Sequence, residues 1–135
     1  MNTNKESMSL RCPHAEDLGA ATLLDHQFEF YGHATVVPTK GTNTHGVLWN
    51  ITDQCEYHLD LLEGFPTYYD KHDVEVVWQG QTVTAMTYRM VEQGLRRPSM
   101  GYVAILEQGY QEHGLPIEQL DAALERSSHL TYNTY

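Results

Sequence analysis

Cations are scarce in this chain of 135 residues: 8 Lys and Arg stand against 18 Asp and Glu, a formal charge of −10 with His neutral. Nucleic acids and anionic membrane surfaces are held by clustered Lys and Arg, so neither is expected as a partner. Apolar runs are short. None approaches the roughly 20 residues of a membrane span, and the opening residues are too polar for a secretory leader. Cysteine is limited to Cys12 and Cys55, too few for a disulfide framework or a four-cysteine zinc site, and the expectation is two reduced thiols in a cytoplasmic protein. Internal repeats and low-complexity tracts are missing as well. What is present suits one globular unit, since 41% of the residues are hydrophobic and a chain this long can bury a core without staples.

Turn residues and hydrophobic periodicity divide the chain. The first nine residues are polar, with Met8, Leu10 and Cys12 too sparse to define a strong helix before Pro13. Two short strands are predicted between Gly19 and Tyr31, meeting near Asp25 and His26, and residues 38–46 read as a loop. Val47, Trp49 and Ile51 alternate as a strand. A helix follows, capped by Thr52 or Asp53, with Cys55, Leu59 and Leu62 on its inner side and Gly64 as its stop. Val74, Val76 and Trp78 then alternate, Gln79–Gly80 turns, and Thr82 to Met90 returns antiparallel. After the connector GLRRPS, Tyr102, Ile105, Leu106 and Gly109 recur at helical spacing. Pro116 opens a last helix whose buried stripe is Ile117, Leu120 and Leu124. The order predicts an α+β fold with a mainly antiparallel, curled sheet. It is read as a single domain over 1–126 with a loosely held tail over 127–135.

Eight histidines raise the question of a metal. No two fall in HxxxH or HxH spacing. His14, His58, His72, His113 and His129 have polar or charged neighbours and are expected in solvent, so no metal ligand is assigned. Nucleophile elbows, P-loops and dinucleotide fingerprints are missing too. The sharper feature is LDLLEGFPTYY, residues 59–69. Glu63 stands at the C-terminal end of the predicted helix, where the macrodipole is negative, and Leu62, Phe65 and the tyrosines would strip water from it. Both effects disfavour a fixed negative charge, the condition under which a carboxyl group can take and return a proton. Tyr69 and Tyr102 are further candidates, as hydroxyl groups lining a pocket or as half-buried structural tyrosines.

Five segments in order, RCPHAEDLGAATLLDHQFEF (11–30), TVVPTKGTNTHGVLWNI (35–51), LDLLEGFPTYYDKHDVEV (59–76), TAMTYRM (84–90) and RPSMGYVAILEQGYQEHGLP (97–116), resemble the γ-glutamylcyclotransferase-like family, which includes the AIG2-like proteins. The resemblance implies a small, mainly antiparallel β-barrel with flanking helices. It also implies an enzyme that closes the γ-glutamyl group of a small peptide or amine into 5-oxoproline and releases the amine, with no metal, nucleotide or organic cofactor. Carried over by motif, Glu63 is the catalytic acid/base, Tyr102 of the P-S-x-x-Y segment contacts the substrate, and Tyr69 lines the pocket or supports it. Relatives open with a strand and a turn reading approximately Y-G-S-N, whose expected place falls just ahead of Met1, so the barrel is expected to lack its first strand here. Two alternatives follow: an upstream start with Met1 internal, or a noncatalytic binding or interaction module on the same scaffold. The preferred amine and the oligomeric state are not legible from any motif.

Overall fold

The computed structural model describes residues 2–128. Six strands and four helices alternate in the order α1 (Lys5–Arg11), β1 (Glu16–Leu23), β2 (His26–Phe30), β3 (Ala34–Pro38), β4 (Thr44–Asn50), α2 (Asp53–Glu63), β5 (Tyr69–Trp78), β6 (Gln81–Met90), α3 (Met100–His113) and α4 (Ile117–Ser128). The strands form a four-stranded sheet in the order β4-β1-β5-β6 and a separate two-stranded sheet, β2-β3. All of the strand pairs are antiparallel. The architecture is the expected α+β type, and the sheet does not close into a complete barrel.

Turn chemistry explains the longest pairing. Gln79 and Gly80 both take positive φ, 49° and 74°, as a two-residue hairpin requires. Val76↔Val83 and Val74↔Ala85 then fall opposite one another. With Leu23 and Val36 these side chains form one apolar cluster that joins the two sheets. A second core joins Phe28 and Phe30 of β2 to Leu106 and Tyr110 of α3 and to Leu120 and Ala123 of α4. A third places Met8 of α1 against Leu59 of α2, with Trp49 and Tyr88 beside them.

Several expectations change. Lys5–Arg11 is helical: the Asn4 side chain accepts the Ser7 N–H at 2.9 Å as N-cap, and Met8 is buried. Seven residues are too few for a helix to persist alone, so tertiary attachment decides. Asn4 donates to the Ile105 carbonyl, and the Thr3 backbone lies so close to Gly109 that a Cβ there would sit 2.5 Å from it. The strands expected to meet at Asp25 do not pair with each other; β1 pairs with β4 and β2 with β3. The loop shortens because Thr44–Gly46 joins β4. Thr52, and not Asp53, caps α2. Ile105 and Ile117 are exposed, and the last helix runs on through a buried Ser127, so the tail expected from 127 does not begin there; 129–135 lie outside the described residues. Cys12 and Cys55 are not reduced thiols: they form a disulfide, their Cα atoms 5.3 Å apart. His113 is 4% exposed, its ring nitrogens facing the Gly109 carbonyl at 2.9 Å and the Asp17 carboxylate at 2.6 Å. His129 lies outside the described residues. None of the described helices is long and apolar enough to cross a membrane.

Candidate active site

Glu63 ends α2 because the next residue cannot continue it. Gly64 adopts left-handed φ of 69°, and its N–H returns to the carbonyls of Asp60 and Leu61. A side chain at 64 would also collide with the Tyr68 ring, 2.4 Å from an ideal Cβ. The reversal continues as the Phe65 N–H bonds the Asp60 carbonyl at 2.9 Å and the Tyr68 N–H bonds the Gly64 carbonyl at 2.9 Å. Tyr69 then opens β5. This tight turn brings Glu63 and Tyr69 to the same cavity, about 450 Å³ in volume, bounded by residues of both sheets and of α1 and α2.

The surroundings of Glu63 differ from those the sequence suggests. Its side chain is 11% exposed, but Leu62 and Phe65, expected to desolvate it, face solvent at 60% and 39%. Burial comes instead from the cavity wall, and a cation stands beside the carboxylate: Arg11 Nη1 lies 3.6 Å from Glu63 Oε1. The same nitrogen donates to Asn2 Oδ1 at 3.0 Å. Asn2 and Thr3 line the cavity with Glu63. Asn2 is held there because Trp49 Nε1 donates to its carbonyl at 2.7 Å. None of these three residues is assigned to the site by sequence reasoning. The only signal was that Arg11 opens the RCP triplet.

Tyr69 and Tyr102 converge on the backbone of one residue, Ala34. The Tyr69 hydroxyl donates to the Ala34 carbonyl at 3.0 Å, and the Ala34 N–H donates to the Tyr102 hydroxyl at 3.1 Å. Burial, reinforced by Tyr102 and Glu63 and opposed by the Arg11 charge, lifts the Tyr69 phenol well above its usual range. Burial also lifts Tyr102, against the hydrogen bond from Ala34, with the Glu63 charge acting in the same upward direction. Both phenols therefore carry their protons at neutral pH. The Tyr69 proton is committed to Ala34. Tyr102 uses its oxygen there as an acceptor, so its own O–H can still donate.

A polar network underlies the same face of α2. Lys71 Nζ donates to Glu56 Oε2 at 2.7 Å and Asp60 Oδ2 at 2.9 Å, and the Tyr88 hydroxyl donates to Asp60 Oδ1 at 2.6 Å. Burial alone would raise the Asp60 carboxyl, but hydrogen bonds from Tyr88 and Lys71 outweigh it and hold the group below its usual range. Glu56 and Asp60 in turn raise the Lys71 ammonium. Among the described residues no group of three His, Cys, Asp or Glu side chains is placed to hold a metal ion.

The fold is that of a known family. The chain belongs to the gamma-glutamyl cyclotransferase, AIG2-like family, whose model matches residues 1–111. It is 30% identical to human gamma-glutamylcyclotransferase over 131 residues, covering 87% of this chain and 70% of that protein. The bovine gamma-glutamylcyclotransferase is 29% identical over the same shares. A solved gamma-glutamyl cyclotransferase superposes with a TM-score of 0.79 at 27% identity, covering 99% of this chain and 85% of that one. YkqA from Bacillus subtilis shares the fold, with a TM-score of 0.72 at 20% identity over 84% of this chain and 45% of that one.

Proposed function

We propose that the protein is a γ-glutamylcyclotransferase-like enzyme that converts the γ-glutamyl group of a small peptide or amine to 5-oxoproline, with Glu63 as general acid/base. One observation carries this reading: Glu63 brings a largely buried carboxylate to a cavity roomy enough for a γ-glutamyl group. The substrate's α-amine has an ordinary pKa of about 8 and is largely protonated near neutrality. Glu63 takes that proton, and the free amine attacks the γ-carbonyl carbon. As the tetrahedral intermediate collapses, Glu63 returns that proton to the departing nitrogen, and the ring nitrogen gives up its second proton in the same exchange, so that the lactam N–H is neutral and the amine leaves protonated. One C–N bond forms and one breaks. No water, oxidant or metal enters the balance, and ring closure supplies the proximity.

In this reading Tyr102, which reaches the cavity wall through Ala34 and does not itself line the cavity, turns its uncommitted O–H toward the substrate as the family resemblance implies, and Tyr69 supports it by fixing Ala34. The reaction is assigned to the cytoplasm, where glutathione and thioredoxin would act on Cys12–Cys55; the assay is therefore run with and without reductant. The test supplies several γ-glutamyl amines and dipeptides to wild type and Glu63→Gln and measures 5-oxoproline and released amine in equal amounts. A drop of at least about 10²-fold is expected for the variant. Equal turnover by both proteins rejects the role of Glu63, and ligand-induced stabilisation without turnover by wild type points to a binding module.

A further inference from the structure

The cavity has an imbalance of charge. Among its lining residues Glu56 and Glu63 are acidic and none is Lys or Arg, yet the proposed substrate brings an α-carboxylate into it. A carboxylate taken out of water needs a cation or several donors. Lys71 cannot serve, because Glu56 and Asp60 already hold its ammonium at 2.7 and 2.9 Å. Arg11 is differently placed. It touches two lining residues, Asn2 and Glu63, and it does so through Nη1 alone. Among the described residues its Nε and Nη2 make no hydrogen bond. The Glu63 contact, at 3.6 Å, is an ion pair too long for a good hydrogen bond, and the guanidinium is 39% exposed at the cavity rim.

The position of Arg11 is nevertheless fixed. It is the last residue of α1, and the next residue, Cys12, is bonded to Cys55 in the first turn of α2, the helix that ends in Glu63. A guanidinium tethered to so firmly placed a backbone, its Nε and Nη2 unengaged among the described residues, can turn its fork toward the two oxygens of a carboxylate. Its charge also reaches the Tyr69 and Tyr102 hydroxyls, so it lies within electrostatic range of every group assigned to the site.

We infer that Arg11 binds the α-carboxylate of the γ-glutamyl substrate, moving from Glu63 onto the incoming anion and leaving Glu63 free to take the proton of the neighbouring α-amine. This rests on the cyclotransferase reading, and it makes Arg11 a specificity-determining group for γ-glutamyl over γ-aminobutyryl compounds, which lack the carboxylate.

The experiment compares wild type, Arg11→Lys and Arg11→Gln on one γ-glutamyl amide and on the 4-aminobutanoyl amide of the same amine. Binding of 5-oxoproline and 2-pyrrolidinone is measured by calorimetry on the same proteins. Losing a charge-assisted carboxylate contact raises KM and the 5-oxoproline Kd by about 10–100-fold in Arg11→Gln, less in Arg11→Lys, with 2-pyrrolidinone binding equally to all three. Should Arg11→Gln fail to fold, Arg11→Lys carries the comparison, since it keeps the charge but loses the fork. Discrimination between the two amides that survives unchanged in the variants overturns the role of Arg11, as does 5-oxoproline binding wild type no better than 2-pyrrolidinone. Wild type that releases amine from no γ-glutamyl compound instead sinks the cyclotransferase reading, while the calorimetry still judges Arg11.

Discussion

Tyr69 and Tyr102 grip the backbone on either side of the Ala34 Cα, one donating to its carbonyl at 3.0 Å and the other accepting its N–H at 3.1 Å. The two contacts are not equivalent. A carbonyl oxygen has two lone pairs, whereas an amide has one proton, and Ala34 is 1% exposed, so water cannot replace a lost partner. Tyr102→Phe strands a buried donor and should lower stability by about 1–3 kcal/mol; Tyr69→Phe should cost about 0.5–1.5 kcal/mol. Denaturant unfolding of both variants checks the order. In the proposed reaction Tyr102→Phe also removes a substrate donor, so its turnover falls further than that of Tyr69→Phe at equal fractions folded. A Tyr69→Phe enzyme that is the slower of the two would reverse the assignment.

The Asp60–Lys71 pair gives a pH signature. Asp60 is depressed below 3.8 in the folded protein, so its stabilisation is present above that value and is lost as pH falls through the lower folded value. Lys71 is raised above 10.5, so its share is present below 10.5 and is lost as pH climbs through the higher folded value. Asp60→Asn should destabilise by about 1–3 kcal/mol near neutrality, the scale of hydrogen bonds to a charged group. The gap should stay level over roughly pH 5 to 9 and close in acid. Melting curves of both proteins from neutral pH down through the acid range test it. A gap that persists undiminished well below the ordinary carboxyl range would mean that the loss at Asp60 is one of packing. Glu56, with its side chain 40% exposed, should contribute far less.

How much of this could be read from the chain depends on whether the cause was local. The β5–β6 hairpin was legible because alternation and the Gln79–Gly80 turn are neighbours in sequence. The stop at Gly64 and the buried Leu120 follow equally short-range rules. Glu63 stood out because its motif places a carboxylate at a helix end before a turn. Arg11 did not, since the 52 positions that separate it from Glu63 are closed only by the docking of α1. Met8, sparse in its own segment, owes its burial to Leu59 and Trp49. His113, polar in its sequence neighbourhood, is enclosed by Asp17 from 96 positions away. Leu62 shows the converse error, an apolar residue at helical spacing left facing solvent.

The Cys12–Cys55 bond yields the prediction with the widest reach. It ties the end of α1 to the start of α2 across 43 positions, and loop-closure entropy for that length amounts to about 4 kcal/mol, with about 2–4 kcal/mol typical of measured bridges. Both residues are buried, at 3% and 4%, so the reduced thiols would remain packed as small apolar groups and the loss should be chiefly one of restraint. Cys12→Ala/Cys55→Ala, which also keeps both sites apolar, and reduced wild type should therefore unfold at similarly lowered denaturant concentrations. Because α1 is too short to persist unaided, hydrogen exchange should quicken first over residues 5–11 while α3 keeps its protection. Arg11 rides on that helix, so KM for a γ-glutamyl amide should rise on reduction with less change in kcat. If thiol alkylation of the native protein labels both cysteines, and reductant shifts neither the unfolding midpoint nor KM, the bond is not what holds Arg11 beside Glu63, and the Asn4 and Thr3 contacts with α3 must suffice to seat the helix.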